Sequence, residues 1–130
     1  MSASAAMESR PHLPRLAPID GFGKGGFRFA GMSHRGSLLC LPSGIWAWPV
    51  AQAQDIDQAA LAQVFGAVEE IGLFLIGAGQ SSWALPVPLQ LRFHHLKLTV
   101  EVMRTGTAVS TYNILLGEGR NVAAGLIAVD

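Results

Sequence analysis

The residues best suited to chemistry gather around one turn. Gly77-Ala78-Gly79-Gln80-Ser81-Ser82 follows an apolar run and precedes a segment with helical spacing. Glycines at such a place let backbone N–H groups close on an anion, and the start of the next helix favours negative charge. Gly77, Gly79 and Ser81 are therefore candidate ligand-binding residues. A plain tight turn is the competing reading. Ser82 stands where a dinucleotide fingerprint needs its third glycine, and no Gly-Lys-Ser/Thr of a triphosphate loop is present. Glu101 and Arg104 lie near the carboxyl end of a later alternating run. Facing the same crevice, they could hold a polar ligand or move a proton; otherwise they are an ion pair or a solvated edge. Asn113 is a poor helix former inside a helical pattern, so a specific hydrogen bond is expected of it, and it joins the candidate set.

Other constellations carry less. His94 and His95 are adjacent, so on a helix they point about 100° apart and cannot chelate one ion from one face. No carboxylate or cysteine lies at zinc spacing from them, and no metal site or cofactor is expected. A triad drawn from Ser81, His94 and Asp55 lacks a nucleophile elbow, so no catalytic residue is assigned. Cys40 sits in the apolar run Leu38-Leu39-Cys40-Leu41, the setting of a core thiol and not of a reactive thiolate. Trp46, Trp48 and Trp83 are many for a short chain. Tryptophan is common in cores and enriched at interface hot spots, so the three are candidate interface residues.

These residues need elements to position them. Phe27 and Phe29 flank Arg28 at the period of a half-buried strand. Gly31 to Gly36 reads as a polar hairpin connection, Ser37 to Leu41 as a strand, and Ile45 to Trp48 as another. Asp57 can cap a helix whose face is Leu61, Val64, Phe65 and Val68. Ile71 to Ile76 reads as a strand covered on both faces. Pro86 suits the first turn of a second helix with Leu89, Phe93 and Leu96 inward. Leu98 to Met103 alternates as a strand. Thr105 or Thr107 can cap a third helix with Val109, Tyr112 and Leu116 inward, and Gly117 can end it in a left-handed turn. Val122 to Val129 is the last strand. Strands separated by single helices imply parallel neighbours. The fold class is therefore α/β, a single domain over residues 19–130 with a β-rich N-terminal half and a parallel βαβ core.

Composition bounds the rest. The chain of 130 residues is half hydrophobic and 14% charged, which suits one well-buried domain and excludes disorder for its body. Net charge is zero and the nine Lys and Arg residues are scattered, so nucleic-acid binding is not expected. Residues 1–18 hold Pro11, Pro14 and Pro18 and no apolar middle of a secretory signal, and they read as a flexible tail. No apolar run approaches the length of a membrane span. The preference for arginine over lysine, with much alanine, is the composition of a bacterial chain.

Several segments taken together resemble a known family. They are Gly23-Lys24-Gly25-Gly26-Phe27-Arg28, Gly36-Ser37-Leu38-Leu39, and Gly77-Ala78-Gly79 with Leu85-Pro86 behind it. Val100-Glu101-Val102-Met103-Arg104-Thr105, Thr111-Tyr112-Asn113-Ile114-Leu115-Leu116 and Glu118-Gly119-Arg120 continue the match. The family is one of small domains of unknown function that includes the mitochondrial assembly factor 3 of NADH:ubiquinone oxidoreductase, respiratory complex I. The similarity runs from about Ile19 to Val129. It implies a three-layer β/α fold with a mixed central sheet whose last strand runs antiparallel to the rest. It implies no established enzymatic activity. Many relatives carry arginine immediately before Thr-Tyr-Asn, where this chain has Ser110.

The expected function is a non-enzymatic protein-interaction or assembly factor, in the manner of complex I biogenesis. Respiratory-complex subunits or other assembly factors are the expected partners, with a second copy of the chain as a further candidate. The expected compartment is the cytoplasm for a bacterial chain and the mitochondrion for a eukaryotic one. The alternative is a small-molecule or anion-binding protein, conceivably an enzyme, that uses the Gly77–Ser82 turn.

Overall fold

The computed structural model describes residues 10–130. Its elements are β1 (Gly21–Gly23), β2 (Gly26–Phe29), β3 (Met32–Arg35), β4 (Ser37–Leu41), β5 (Gly44–Trp48), α1 (Ala62–Phe65), β6 (Leu73–Gly77), α2 (Val87–His95), β7 (Thr99–Met103), α3 (Thr105–Gly117) and β8 (Val122–Leu126). Single 3-10 turns at Ala53–Asp55 and Val68–Glu70 flank α1. A five-stranded sheet has the order β5-β4-β8-β6-β7, and β1, β2 and β3 form a separate antiparallel sheet.

β6 pairs in parallel with both β7 and β8, while β4 is antiparallel to β5 and β8. The last strand is therefore not antiparallel to the rest. It is the seam between a parallel and an antiparallel half. The path steps from β6 out to β7 and then back across β6 to β8. Right-handed crossovers in opposite directions put their helices on opposite faces. Accordingly Leu89 and Phe93 of α2 pack on one face with Leu39, Trp48, Phe74 and Ile76. Ala108, Val109 and Tyr112 of α3 pack on the other with Leu38, Cys40, Leu75 and Phe27. With β1–β3 lying beside α3, the molecule has three layers around its sheet.

β8 is buried along its whole length and reads Val-Ala-Ala-Gly-Leu, because large rings close on it from outside. A methyl group on Gly125 would stand 2.7 Å from the Trp48 ring and 3.2 Å from Phe74.

Several local expectations need correction. Residues 32–35 are not a connection but the strand β3. The turn lies earlier, at Ala30–Gly31, where both residues have positive φ (49° and 75°), the two-residue geometry that matches strand twist. The helix from Asp57 is broken. Asp57 accepts from the Ala60 N–H at 2.8 Å, but α1 ends at Phe65, before Gly66, a weak helix former. Leu61 and Val64 still face the core. Gly117 remains inside α3, and Gly119 takes the left-handed position (φ 76°). Of the expected tail, residues 1–9 lie outside the described residues. Residues 11–18 run along the domain: Leu13 bridges Ile45, and Ala17 is buried.

Candidate functional site

The parallel pairing of β6 and β7 brings their trailing loops together, at the point where the chain leaves one strand for one face and the next for the other. Such switch points are where open α/β sheets form crevices. One residue ties the ends of three strands there. The Thr105 side chain is fully buried, and its hydroxyl accepts the Gly79 N–H at 3.0 Å and donates to the Ile127 carbonyl at 2.7 Å. The Thr105 N–H donates to the Gly79 carbonyl at 2.9 Å, Ala78 N–H to Met103 at 2.8 Å, and Ile127 N–H to Gly77 at 2.9 Å. Thr105 thus begins α3 without capping it; the N-cap position is Arg104, which makes no side-chain cap bond.

The glycines serve this knot. A Cβ on Gly77 would meet Thr105, Ala108 and Leu126 at 3.0–3.1 Å, and Gly79 has a φ of 100° that other residues rarely adopt. The Gly79 N–H is engaged, so it is not a free donor for an anion. The anion cradle expected at Gly77–Gly79 is in this respect a tight turn.

What remains open lies just beyond. A cleft of about 290 Å3 runs between Ala78–Trp83, Ala51–Gln54 and Ile127–Asp130. A second, of about 260 Å3, is lined by Ser81, Ser82, Trp83, Val102, Met103 and Arg104. Ser81 and Arg104 therefore line one cleft. Glu101 is level with Leu75 in the register, two residues short of Met103, exposed, and in neither cleft. Asn113 leaves the site altogether. Its carboxamide accepts from the Ile19 N–H and donates to the Ile19 carbonyl, both at 2.8 Å. That is the specific bond its type foretold, made to the incoming chain and not to a ligand.

The tryptophans divide in the same way. Trp48 belongs to the core, with its indole N–H donating to Ala60 at 2.8 Å, so it is not a surface residue. Trp46 and Trp83 are partly buried against that core and keep one side toward solvent.

Cys40 is completely buried, and burial pushes its thiol up to about 12 against a lesser opposing effect of the Tyr112 hydroxyl. Burial raises Tyr112 as well, with Cys40 adding to it, and the Tyr112 hydroxyl donates to the Ala17 carbonyl at 2.8 Å. Neither group is available as a nucleophile or base near neutrality. Among the described residues, no three His, Cys, Asp or Glu side chains cluster as a metal site.

The sequence reading missed two groupings. His12 and His34 pack against each other with ring centroids 4.5 Å apart and planes tilted by 47°; desolvation, then repulsion from His12, lowers the His34 pKa. Arg28 and Arg35 lie on one face of the small sheet. Reading 32–35 as a strand would have exposed that second alternation.

A family model described as "Protein of unknown function (DUF498/DUF598)" matches residues 19–127. An uncharacterized protein of Rhodobacter capsulatus is 41% identical over 117 residues, 90% of this chain and 89% of the relative. NADH dehydrogenase (ubiquinone) 1 alpha subcomplex assembly factor 3 of Mus musculus is 28% identical over 115 residues, 88% of this chain. This chain spans only 62% of that assembly factor's length. The crystal structure of an outer membrane protein from Bartonella henselae superposes with a TM-score of 0.88 at 43% identity, over 92% of this chain and all of the other. The NMR structure of a Rhodopseudomonas palustris protein gives 0.81 at 47% identity, over 92% of this chain and 89% of the other. No helix among the described residues is long and apolar enough to cross a membrane. With the family model covering residues 19–127, through the Ile127 that closes the knot, the chain belongs to the DUF498/DUF598 family of proteins of unknown function.

Proposed function

We propose that this chain is a protein-binding assembly factor for a respiratory NADH dehydrogenase, acting as one domain over residues 19–130. The observation that carries the reading is the match to assembly factor 3 over 88% of this chain, which makes this domain the part the two share. The knot around Thr105 supports it, because the loop best suited to holding an anion has its Gly79 amide engaged internally. Exposed Phe22, Val87, Leu91 and Ile114, with the open sides of Trp46 and Trp83, supply apolar contact surface for subunits. The chain then works where that enzyme is built, in the cytoplasm of a bacterium or the mitochondrion of a eukaryote.

The test is affinity capture of tagged protein at native expression, with loss of the gene alongside. NADH dehydrogenase subunits should co-purify, and assembled enzyme should fall when the gene is removed. Capture of no such subunit, together with normal enzyme in the deletion strain, refutes the proposal.

A second reading keeps Ser81 and Arg104 as a ligand site, supported by their shared cleft. A phosphate- or carboxylate-bearing metabolite at a hundred times its dissociation constant would add about 2.7 kcal/mol of stability. A broad thermal-shift screen without any shift removes this alternative.

A further inference from the structure

We propose that the outer face of the three-stranded sheet is a docking surface for an acidic segment of a partner protein. This rests on the protein-binding reading above and adds where, and by what chemistry, a partner is held.

The register carries the argument. β1 pairs with β2 so that Gly21 faces Arg28 and Gly23 faces Gly26; β2 pairs with β3 so that Arg28 faces Ser33 and Gly26 faces Arg35. Paired residues share a face, and alternate residues along a strand share it too. Phe27 and Phe29 of β2 are buried, so the opposite face presents Gly21, Gly23, Gly26, Arg28, Ser33 and Arg35. Half of these positions have no side chain. The two guanidinium groups therefore stand beside a glycine strip that is open at Gly23 and closed at Gly26, where a side chain would strike the His34 carbonyl, with exposed Lys24 in the β1–β2 turn next to them.

Charge identifies the occupant. The groove along this sheet measures about 600 Å3; it is lined by Lys24, Arg28 and Arg35 together with Phe22, Phe27 and His34 of the other register, and by no carboxylate. From residue 21 to residue 54 the chain contains Lys24, Arg28 and Arg35 and not one acidic residue. Asp20 stands at the flank, where it shares a smaller cavity with Arg28. A chain of zero net charge thus places three cations on one face, with Asp130 near its edge, since the Gly25 N–H donates to the Val129 carbonyl at 2.8 Å.

The exposure of these cations decides between occupants. One exposed ion pair contributes little, so a lone small anion would not be retained. Several carboxylates along one segment can engage both forks at once, and guanidinium suits bidentate carboxylate pairing. Three cations are few for a nucleic-acid footprint, where affinity grows with each phosphate neutralised. The floor is also pre-formed. Both of its turns have two positive-φ residues, Lys24–Gly25 and Ala30–Gly31, and Phe27 and Phe29 anchor the sheet in the core. Little ordering cost then falls on binding.

The experiment titrates the purified full chain with a fluorescent peptide of glutamates interrupted by leucine, in parallel with inorganic phosphate and a single-stranded oligonucleotide. The peptide should bind at low salt and weaken steeply from about 0.01 M to about 0.15 M, as the screening length falls from about 30 Å to about 8 Å. Arg28→Glu with Arg35→Glu should weaken it about tenfold or more. Arg28→Gln with Arg35→Gln should give a smaller loss in the same direction, with melting checked for each variant. Arg92→Glu with Arg120→Glu, an equal change of net charge elsewhere, should leave binding intact. Equal loss in both charge-reversed pairs overturns the inference, because general electrostatics would then suffice. So does oligonucleotide or phosphate binding stronger than peptide binding. The affinity capture above, repeated with Arg28→Glu/Arg35→Glu, separates the two proposals: subunits captured equally by both forms overturn this surface alone, and subunits captured by neither, with normal enzyme in the deletion strain, overturn the assembly role.

Discussion

Thr105→Val tests the knot that organises the site. Valine keeps the branched shape and removes the hydroxyl, which is why the exchange is not conservative in a core. Two groups lose their partner: the Gly79 N–H, 3.0 Å from the oxygen, and the Ile127 carbonyl, 2.7 Å from it. With Thr105 wholly buried, water cannot take the hydroxyl's place without opening the loops. Each stranded group costs about 1–3 kcal/mol. The extra methyl returns part of that, which leaves a loss of about 3 kcal/mol out of a total stability of about 5–15 kcal/mol. For a chain of this size the melting midpoint should fall by about 10 °C. Urea unfolding should shift its midpoint by about 1–2 M with an unchanged slope. Thr105→Ser keeps the hydroxyl and should lose only about 1 kcal/mol for one methyl. Amide hydrogen exchange gives the local readout, since Gly79 should lose protection in the valine variant and keep it in the serine variant. Equal losses for valine and serine, or a valine loss below about 0.5 kcal/mol, would refute the account.

Two further outcomes follow from the core. Gly125→Ala should cost about 1–3 kcal/mol by overpacking, because the new methyl would lie 2.7 Å from a Trp48 ring that its bond to Ala60 holds in place. In a Trp48→Phe background the same change should cost less; equal cost in both, measured by denaturant unfolding, removes the steric explanation. Cys40 should resist thiol reagents in native protein at mild pH and react once unfolded. Its thiol is raised from an ordinary 9.0 to about 12, so above pH 9 the unfolded chain gives up a proton that the native chain keeps. Stability contributed by the neutral thiol is present in full below that value and is lost as pH rises toward 12. Tyr112 acts with the same sign. Cys40→Ala should flatten the decline between pH 9 and 12, and an unchanged slope would refute the assignment.

Much of the frame was legible because it depends on period and order. The alternation around Arg28, the run from Ile71 to Ile76, and the stripe at Leu89 and Phe93 each announce one face to bury. Strand, helix, strand with single crossovers then required β6 and β7 to be parallel neighbours, as they are. What failed was local. Ala30–Gly31 adopts a turn more usual for Asn-Gly, so β3 passed as loop and its arginine went unplaced. The helix after Asp57 had the right face but too weak a grip past Phe65, where Gly66 follows. The direction of the last strand was set by which partner lay beside it, and β8 has one of each kind.

The site shows a sharper limit. Sequence spacing placed Gly79 and Thr105 at the ends of neighbouring parallel strands, and that adjacency is real. It could not say whether the glycine's amide faced solvent or a side chain of its own fold. One buried hydroxyl answers the question, because it accepts the Gly79 N–H. A position that reads as a cradle is then a closure, and the cleft just past it is lined by Ser81, Ser82, Trp83 and Arg104. Asn113 makes the same point from the other direction, since an unusual polar residue in a helix found its partner in Ile19, ninety-four residues away. Polar side chains that look free for a ligand in the sequence are here first used to hold the two halves of the chain together, and function has to be sought on the faces those bonds leave uncovered.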